Sequence, residues 1–366
     1  MKKPKRMDNF HESIFEINLN YLKQNFDFLK KKIKPKTKII AVVKAFAYGH
    51  GDIKIAQTLE KLNVDALWVA DFEEGIRLRE SGIRSKIIIA NPGWKSYNEI
   101  VKYNLEVVIH NCRLLDFYIS KGKDVNIHLK FNTGMNRYGF DKKELNFVVN
   151  RLKNNSNLRV VSICSHLSSA DDTSKLDVSR NQINLFNNIS ETLENNLNNK
   201  IERHILNSNG FMNFPESQMN MVRLGISLYG SYNNLNLQQI SKLKSVISQN
   251  RNIEKGEGVG YSSDFIAKKT MNISVIPVGY ADGLNRKLGN SIGNVIVKGV
   301  TCPIIGNICM DSFMIDTSYV NCKEGDEVEI FGPKNTILSL SKKIGTIPYE
   351  IYSTLNRRFK RVYIDN

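Results

Sequence analysis

The chain has 366 residues, of which 41% are hydrophobic and 24% charged, and a formal net charge of +16. That length accommodates two domains, or one large barrel with an appendix. Its apolar runs, such as Ile39–Val43 and Ile87–Ala90, stop far short of the roughly 20 residues a bilayer span requires.

The basic start "MKKPKRMDNF" is followed by no apolar stretch of signal-peptide type, so a cytoplasmic location is expected, with no membrane partner. The five cysteines, Cys112, Cys164, Cys302, Cys309 and Cys322, are scattered and form no C-x-x-C pair, which speaks against a disulfide framework or a zinc site; no metal is expected. The lysines are spread through segments such as "LKKKIKPKTK", without interleaved aromatics or a nucleic-acid-binding signature. The positive charge is therefore read as a solvated basic surface or the mark of an anionic ligand, not of nucleic acid.

In chain order, Leu22, Phe26, Leu29 and Ile33 recur at helical spacing and predict one apolar helix face. Strands are then predicted near Lys38–Ala45, Ala66–Ala70, Lys86–Ala90, Glu106–His110, Val125–Phe131, Val160–His166, Arg203–Asn207 and Met221–Ser227, with amphipathic segments between them. Eight such alternations match a (β/α)8 barrel. After about Asn236 the texture changes to Gly-punctuated runs such as "MNISVIPVGYADG" and "GDEVEIFG", which predict short strands and turns. The predicted fold class is α/β plus β: a TIM-type barrel over residues 1–236 and a mainly β domain over 237–366. The Asn-rich tracts "KNNSN" and "ENNLNNK" read as polar helix ends or loops.

Active sites of such barrels gather at the C-terminal ends of the strands. Lys44, in "AVVKAFAYGHG", closes the first predicted strand. It reads either as a lysine reaching into water or as an amine kept neutral by desolvation, suited to a Schiff base. Lys130 and Arg137 belong to the fifth strand and its loop, His166 tips the sixth, Ser208 follows the seventh, and Arg223, Gly225 and Ile226 lie in the eighth. Each residue alone has a plainer reading as a turn former, a rim histidine or a surface cation. Together at one barrel mouth they offer a carbonyl-reactive amine, a guanidinium for a pyridine nitrogen, and hydroxyl and backbone donors for a phosphate. Pyridoxal 5′-phosphate (PLP) satisfies all of these.

The segments "AVVKAFAYGHG", "NTGMNRYGF", "SHLSSAD", "VRLGISLYG", "VGYSSDF", "VGYADG" and "GNICMD" occur in the order found in bacterial alanine racemases, and the resemblance runs from about Ile14 to Tyr363. It implies a PLP-dependent homodimer that interconverts L- and D-alanine, a small-molecule substrate, and supplies D-alanine for peptidoglycan. By the same resemblance Lys44 is the cofactor-bearing lysine and one catalytic base. Tyr261, reaching across from the partner subunit, is the other base. Arg223 faces the pyridine nitrogen and His166 links it to the tyrosine, while Tyr48, Ser208, Gly225 and Ile226 cradle the phosphate. Arg137 and the partner's Met310 hold the substrate carboxylate, Tyr280 stands at the entrance, and Lys130 carries a carbamate that braces Arg137. Two bases on opposite faces suit racemisation, which removes a proton from one side of Cα and returns it to the other.

The chain departs from the family pattern at Phe46, Asn132, Gly260, Ser262, Arg357 and Lys360. A PLP-dependent decarboxylase of similar architecture is expected to carry a partner-chain "C-D" motif, whereas Cys309 here is followed by Met310 and Asp311. A non-catalytic single-barrel PLP protein lacks the second domain. A racemase for serine or a longer side chain differs from an alanine racemase by only about 1–3 kcal/mol of binding.

Overall fold

The computed structural model describes residues 10–365 apart from 123–124, 156–157 and 233–236. Strand β1 (Ile14–Asn18) comes first, followed by β2 (Lys38–Val42), β3 (Ala66–Val69), β4 (Lys86–Ile89), β5 (Glu106–Ile109), β6 (Val125–Lys130), β7 (Leu158–Cys164), β8 (Glu202–His204) and β9 (Met221–Leu224). β2 to β9 form an eight-stranded parallel sheet in the order β8-β7-β6-β5-β4-β3-β2-β9. Each predicted barrel strand is present. The sheet curls until its ends approach, and the Arg223 N–H donates to the Leu206 carbonyl at 3.0 Å across the seam, leaving a nearly closed barrel.

The alternation of the strands decides what lies inside it. Ala41, Leu67, Val69, Ile87, Ile89 and Ile109 are fully buried on the outer face of the sheet, and helices such as Asp52–Lys61 and Phe72–Glu80 follow the strands, so β3 and β5 are buried along their whole length. In-register neighbours in a parallel sheet point to the same side. Ile40, Arg223, Ala66, Ile88 and Glu106 are therefore on one face with Val108, His128, Ser162, Cys164 and His204, the barrel interior.

The chain divides into two units. The barrel unit takes in Asp27–Ala47 and Asp52–Ser227, and the β unit takes the chain up to Phe26, Tyr48–Gly51 and everything from Leu228. The expected boundary at residue 236 lies among residues outside the described set, and these units differ from the expected division in counting the N-terminal strand with the β unit. The physical reason is the pairing of β1: it runs antiparallel to Ser241–Val246 and parallel to Lys360–Ile364, and its inward Phe15 and Ile17 are fully buried. The N-terminal strand thus completes a nine-stranded sheet in the β unit. Of the expected apolar helix face, Leu22, Phe26 and Leu29 are buried in the helix Leu19–Lys30, whereas Ile33 falls beyond its end.

Candidate active site

Strand β2 stops at Val42, two residues before Lys44. Beyond Lys44 the backbone turns left-handed: Ala45, Phe46, Ala47 and Tyr48 all have φ between 51° and 56°, and the Ala47 N–H donates to the Val43 carbonyl at 2.9 Å. Such a conformation costs L-residues about 1–2 kcal/mol each. Glu74 offsets part of this cost, accepting from the Ala45 N–H at 2.6 Å and the Ala70 N–H at 2.7 Å. The turn lifts Lys44 out of the sheet's hydrogen-bond ladder at the barrel mouth.

The Lys44 amine is half-buried and has no hydrogen-bond partner among the described residues. Burial, above all, and then Arg137 depress its pKa; the Glu74 carboxylate works against them and Arg223 with them. Lys130, the last residue of β6, is held down at about 8, chiefly by burial. Cys164 opposes that shift, while Arg223, Arg137 and Lys44 add to it. Four basic side chains thus repel one another in one mouth. A ligand with two or more negative charges would relieve that repulsion.

Arg137 stands in a loop built by Asn132. The Asn132 Oδ1 accepts from the Gly134 and Asn136 N–H groups at 3.1 and 3.0 Å, and its Nδ2 donates to Asp141 Oδ1 at 3.1 Å. An amide serves here because the position needs an acceptor and a donor together, whereas an ionised carboxylate only accepts. Gly139 closes the loop at φ 133°, and a Cβ there would lie 2.4 Å from the Asn132 nitrogen. Gly139→Ala is therefore expected to destabilise the protein by roughly 1–3 kcal/mol and displace Arg137. Denaturant unfolding of the two proteins checks this, and equal midpoints would contradict it.

Arg223 is buried and its two terminal nitrogens are fully engaged. Nη1 donates to His204 Nδ1 and to the His204 carbonyl, and Nη2 donates to the Ser165 and Ile205 carbonyls at 2.6 and 3.0 Å and to His166 Nδ1 at 3.1 Å. Only the Nε–H has no acceptor among the described residues. Burial lowers the guanidinium to about 10, with Cys164 opposing. His166 is pushed well below its ordinary range by burial first and then by Arg223. Its Nδ1 is an acceptor for Arg223, so its single proton sits on Nε2.

Ser208 opens the short helix Ser208–Asn213, capped by the Asn207 side chain. Its Oγ accepts from the Gly225 N–H at 2.9 Å, the Ser227 N–H at 3.4 Å and the Ser227 hydroxyl at 3.0 Å. The hydroxyl hydrogen of Ser208 is left without an acceptor among the described residues. Ile226 is buried beside Gly225 in the turn after β9.

The structure thus brings Lys44, Lys130, Arg137, His166, Ser208, Arg223, Gly225 and Ile226 into the barrel unit. Tyr48, Tyr261, Tyr280 and Met310 belong to the β unit. There Tyr48 is buried against the rings of Tyr229 and Tyr349, at 4.8 and 5.7 Å between centroids. Tyr261, Tyr280 and Met310 gather around the segment Gly306–Asp311. The Asn307 amide donates to the Tyr261 carbonyl at 3.2 Å, the Tyr280 N–H to the Cys309 carbonyl and the Ala281 N–H to the Met310 carbonyl, both at 3.0 Å.

Three contributors escaped the sequence reading. Glu74 sits in an ordinary amphipathic helix. Trp68 places its ring 5.5 Å from the Arg223 guanidinium and read as a core strand residue. His204 lies in a predicted strand whose inward face the sequence did not distinguish. The alternation of β8 relative to Arg223 was the available signal for it.

A parallel barrel with a depressed lysine and two arginines toward the C-terminal ends of its strands, followed by a mainly β unit, is the architecture of a barrel-type enzyme. Family models described as alanine racemase, N-terminal domain, and alanine racemase, C-terminal domain, match residues 17–233 and 240–363. An alanine racemase of Thermodesulfovibrio yellowstonii is 37% identical, with 95% of this chain and 97% of the relative covered. The alanine racemase structure of Clostridium difficile superposes with a TM-score of 0.89 at 32% identity, covering 97% and 96% of the two chains. That of Bartonella henselae, which carries covalently bound pyridoxal phosphate, gives 0.89 at 29% identity, covering 97% and 100%. The chain belongs to the alanine racemase family of amino-acid isomerases.

Proposed function

We propose that the protein interconverts L- and D-alanine with PLP held at the barrel mouth. The observation that carries this reading is the Lys44 amine, depressed in pKa and without a hydrogen-bond partner among the described residues, one of four mutually repelling basic groups. Two further unmatched donors fit the cofactor's chemistry: the Arg223 Nε–H suits a ring-nitrogen acceptor and the Ser208 hydroxyl a phosphate oxygen, with Gly225 and Ile226 beside it. Tyr48 is the remaining phosphate ligand by resemblance. The bound cofactor supplies an electron-accepting ring that stabilises negative charge at the substrate Cα.

The residues divide the remaining work. Lys44 Nζ takes or returns the α-proton on one face and the Tyr261 hydroxyl does so on the other. Arg137 grips the substrate carboxylate in two parallel hydrogen bonds, joined there by the partner's Met310, with Tyr280 at the entrance. A cationic Arg223 opposes protonation of the ring nitrogen, which limits how far charge drains from Cα and favours prompt reprotonation. His166 joins Arg223 to the tyrosine side of the site.

Tyr261, Met310 and Tyr280 are 69%, 53% and 44% exposed, a grouping of large apolar surface that supports a homodimer in which each chain serves its partner's site. A cytoplasmic enzyme supplying D-alanine for peptidoglycan completes the reading. Incubation of the PLP-loaded protein with single enantiomers of a panel of amino acids in D2O tests it. Alanine should exchange its α-hydrogen and lose optical activity fastest; absence of Cα exchange with alanine defeats the proposal.

A carbamate on Lys130 belongs to the same reading. The neutral amine adds to CO2 and loses a proton, turning a cation into an anion that accepts from Arg137. An amine held at about 8 is neutral often enough near pH 8 to react. Activity is expected to rise with bicarbonate and to fall in Lys130→Ala. Indifference to bicarbonate, together with density for a bare amine in active crystals, would dismiss the modification.

A further inference from the structure

The barrel interior contains a file of polar groups, one from each of five successive strands. Glu106 of β5, His128 of β6, Ser162 of β7, His204 of β8 and Arg223 of β9 are all buried, none more than 5% exposed. Glu106 Oε2 meets His128 Nε2 at 3.0 Å, His128 Nδ1 meets Ser162 Oγ at 2.6 Å, and Ser162 Oγ meets His204 Nε2 at 3.0 Å; His204 Nδ1 meets Arg223 Nη1. The other oxygen of Glu106 accepts from the Asn126 amide at 3.0 Å.

A bulge makes the file continuous. β7 pairs Ile127 with Val160 and then His128 with Ser162, leaving Val161 as the extra residue. Without it, Val161 would stand opposite His128 and Ser162 would turn to the other face of the sheet.

The two ends impose one direction on every hydrogen. Arginine can only donate, so His204 Nδ1 accepts and its proton sits on Nε2, donated to Ser162. Ser162 then donates its own hydrogen to His128 Nδ1, and the His128 Nε2–H goes to Glu106, which as a carboxylate can only accept. A second proton on His128 would leave the Ser162 hydroxyl hydrogen with no acceptor. Burial raises the Glu106 pKa, but the interaction with His128, then the Asn126 hydrogen bond and the Lys86 charge, outweigh it and the group lies below its ordinary range. Burial, and then Arg223, push His204 well below its own.

We propose that Glu106 is a positioning residue for Arg223. By fixing the tautomers of His128 and His204 through Ser162, it keeps a bare nitrogen facing the guanidinium and holds the Nε–H in its orientation. The proposal rests on the assignment of Arg223 to the cofactor's ring nitrogen. A reversed file would set an N–H of His204 against an N–H of Arg223. Buried groups left in such a state lose their bonds and also remain unsolvated.

The test uses the PLP-loaded protein with 15N-labelled histidine. In the wild type, nitrogen shifts and one-bond couplings should show His128 and His204 both protonated at Nε2 alone; a proton on His204 Nδ1 overturns the proposal without any variant. Ser162→Ala cuts the file and Glu106→Leu removes its end. Each is expected to lower kcat about ten- to a hundredfold, with little change in KM for alanine, and to shift the cofactor's absorption band. Glu106→Gln combined with Asn126→Asp restores an acceptor towards His128 and should recover the wild-type tautomers and most of the activity. Arg223→Leu is the control for the underlying assignment. If it leaves the cofactor band unchanged, that assignment fails and the proposal with it. If it shifts the band while folded Ser162→Ala and Glu106→Leu do not, the file alone is refuted.

Discussion

Replacing Lys44 by alanine is expected to leave a folded barrel that no longer retains PLP through gel filtration and racemises alanine at least about 10³-fold more slowly, since an acid–base group alone typically contributes about 10² to 10⁴ and the covalent anchor is lost with it. The fold should survive because Lys44 lies outside the β2 ladder and its side chain makes no hydrogen bond among the described residues, while the bonds that hold the turn come from the Ala45 and Ala47 backbone. Removing a half-buried amine also relieves repulsion on Lys130 and His166, both of which are lowered in part by Lys44. The wild type should absorb near about 420 nm when loaded, and borohydride reduction followed by peptide mapping should find the cofactor on the peptide containing Lys44. A reducible attachment retained in Lys44→Ala would place the cofactor lysine elsewhere.

Tyr261→Phe is the second large effect. It deletes one hydroxyl from a largely exposed side chain, so stability and cofactor content should be unchanged, yet racemisation should fall by about 10² to 10⁴. On the proposed two-base reading, in which Lys44 serves the α-proton of the D enantiomer and Tyr261 that of the L enantiomer, the loss should be asymmetric in isotope exchange: the variant should still exchange D-alanine with solvent while exchange of L-alanine collapses. Mixing Lys44→Ala chains with Tyr261→Phe chains should restore activity, since a heterodimer has one site with both bases and one with neither. No recovery, with subunit exchange shown by mass, would mean that both bases come from a single chain.

The barrel was legible because its strands are short, apolar and evenly spaced, and a parallel strand covered on both faces leaves that mark without help from distant residues. The β unit was legible as texture only. That β1 joins it was hidden, because "IFEIN" alternates as any half-buried strand does and its partners lie more than two hundred residues on. At the site, residue types at strand ends announced Lys44, His166, Ser208 and Arg223. The supports around them did not, since the role of Glu74 depends on two backbone N–H groups and that of His204 on which way β8 faces. Asn132 could be flagged in the sequence as a departure, but its meaning as donor and acceptor in the Arg137 loop needed the loop's path.

The left-handed turn behind Lys44 also bears on when the site comes into being. An unfolded chain visits such a conformation rarely at any one non-glycine residue, and at four in succession almost never. Ala45 to Tyr48 are therefore expected to acquire their final dihedrals only after β2 is seated and Glu74, across β3, is in place to hold the Ala45 N–H. During assembly the lysine is then expected to be carried on an ordinary extended or right-handed segment and to take its place at the barrel mouth after the surrounding barrel is built. The partly desolvated setting of this amine is thus a property of the assembled barrel and not of the local sequence.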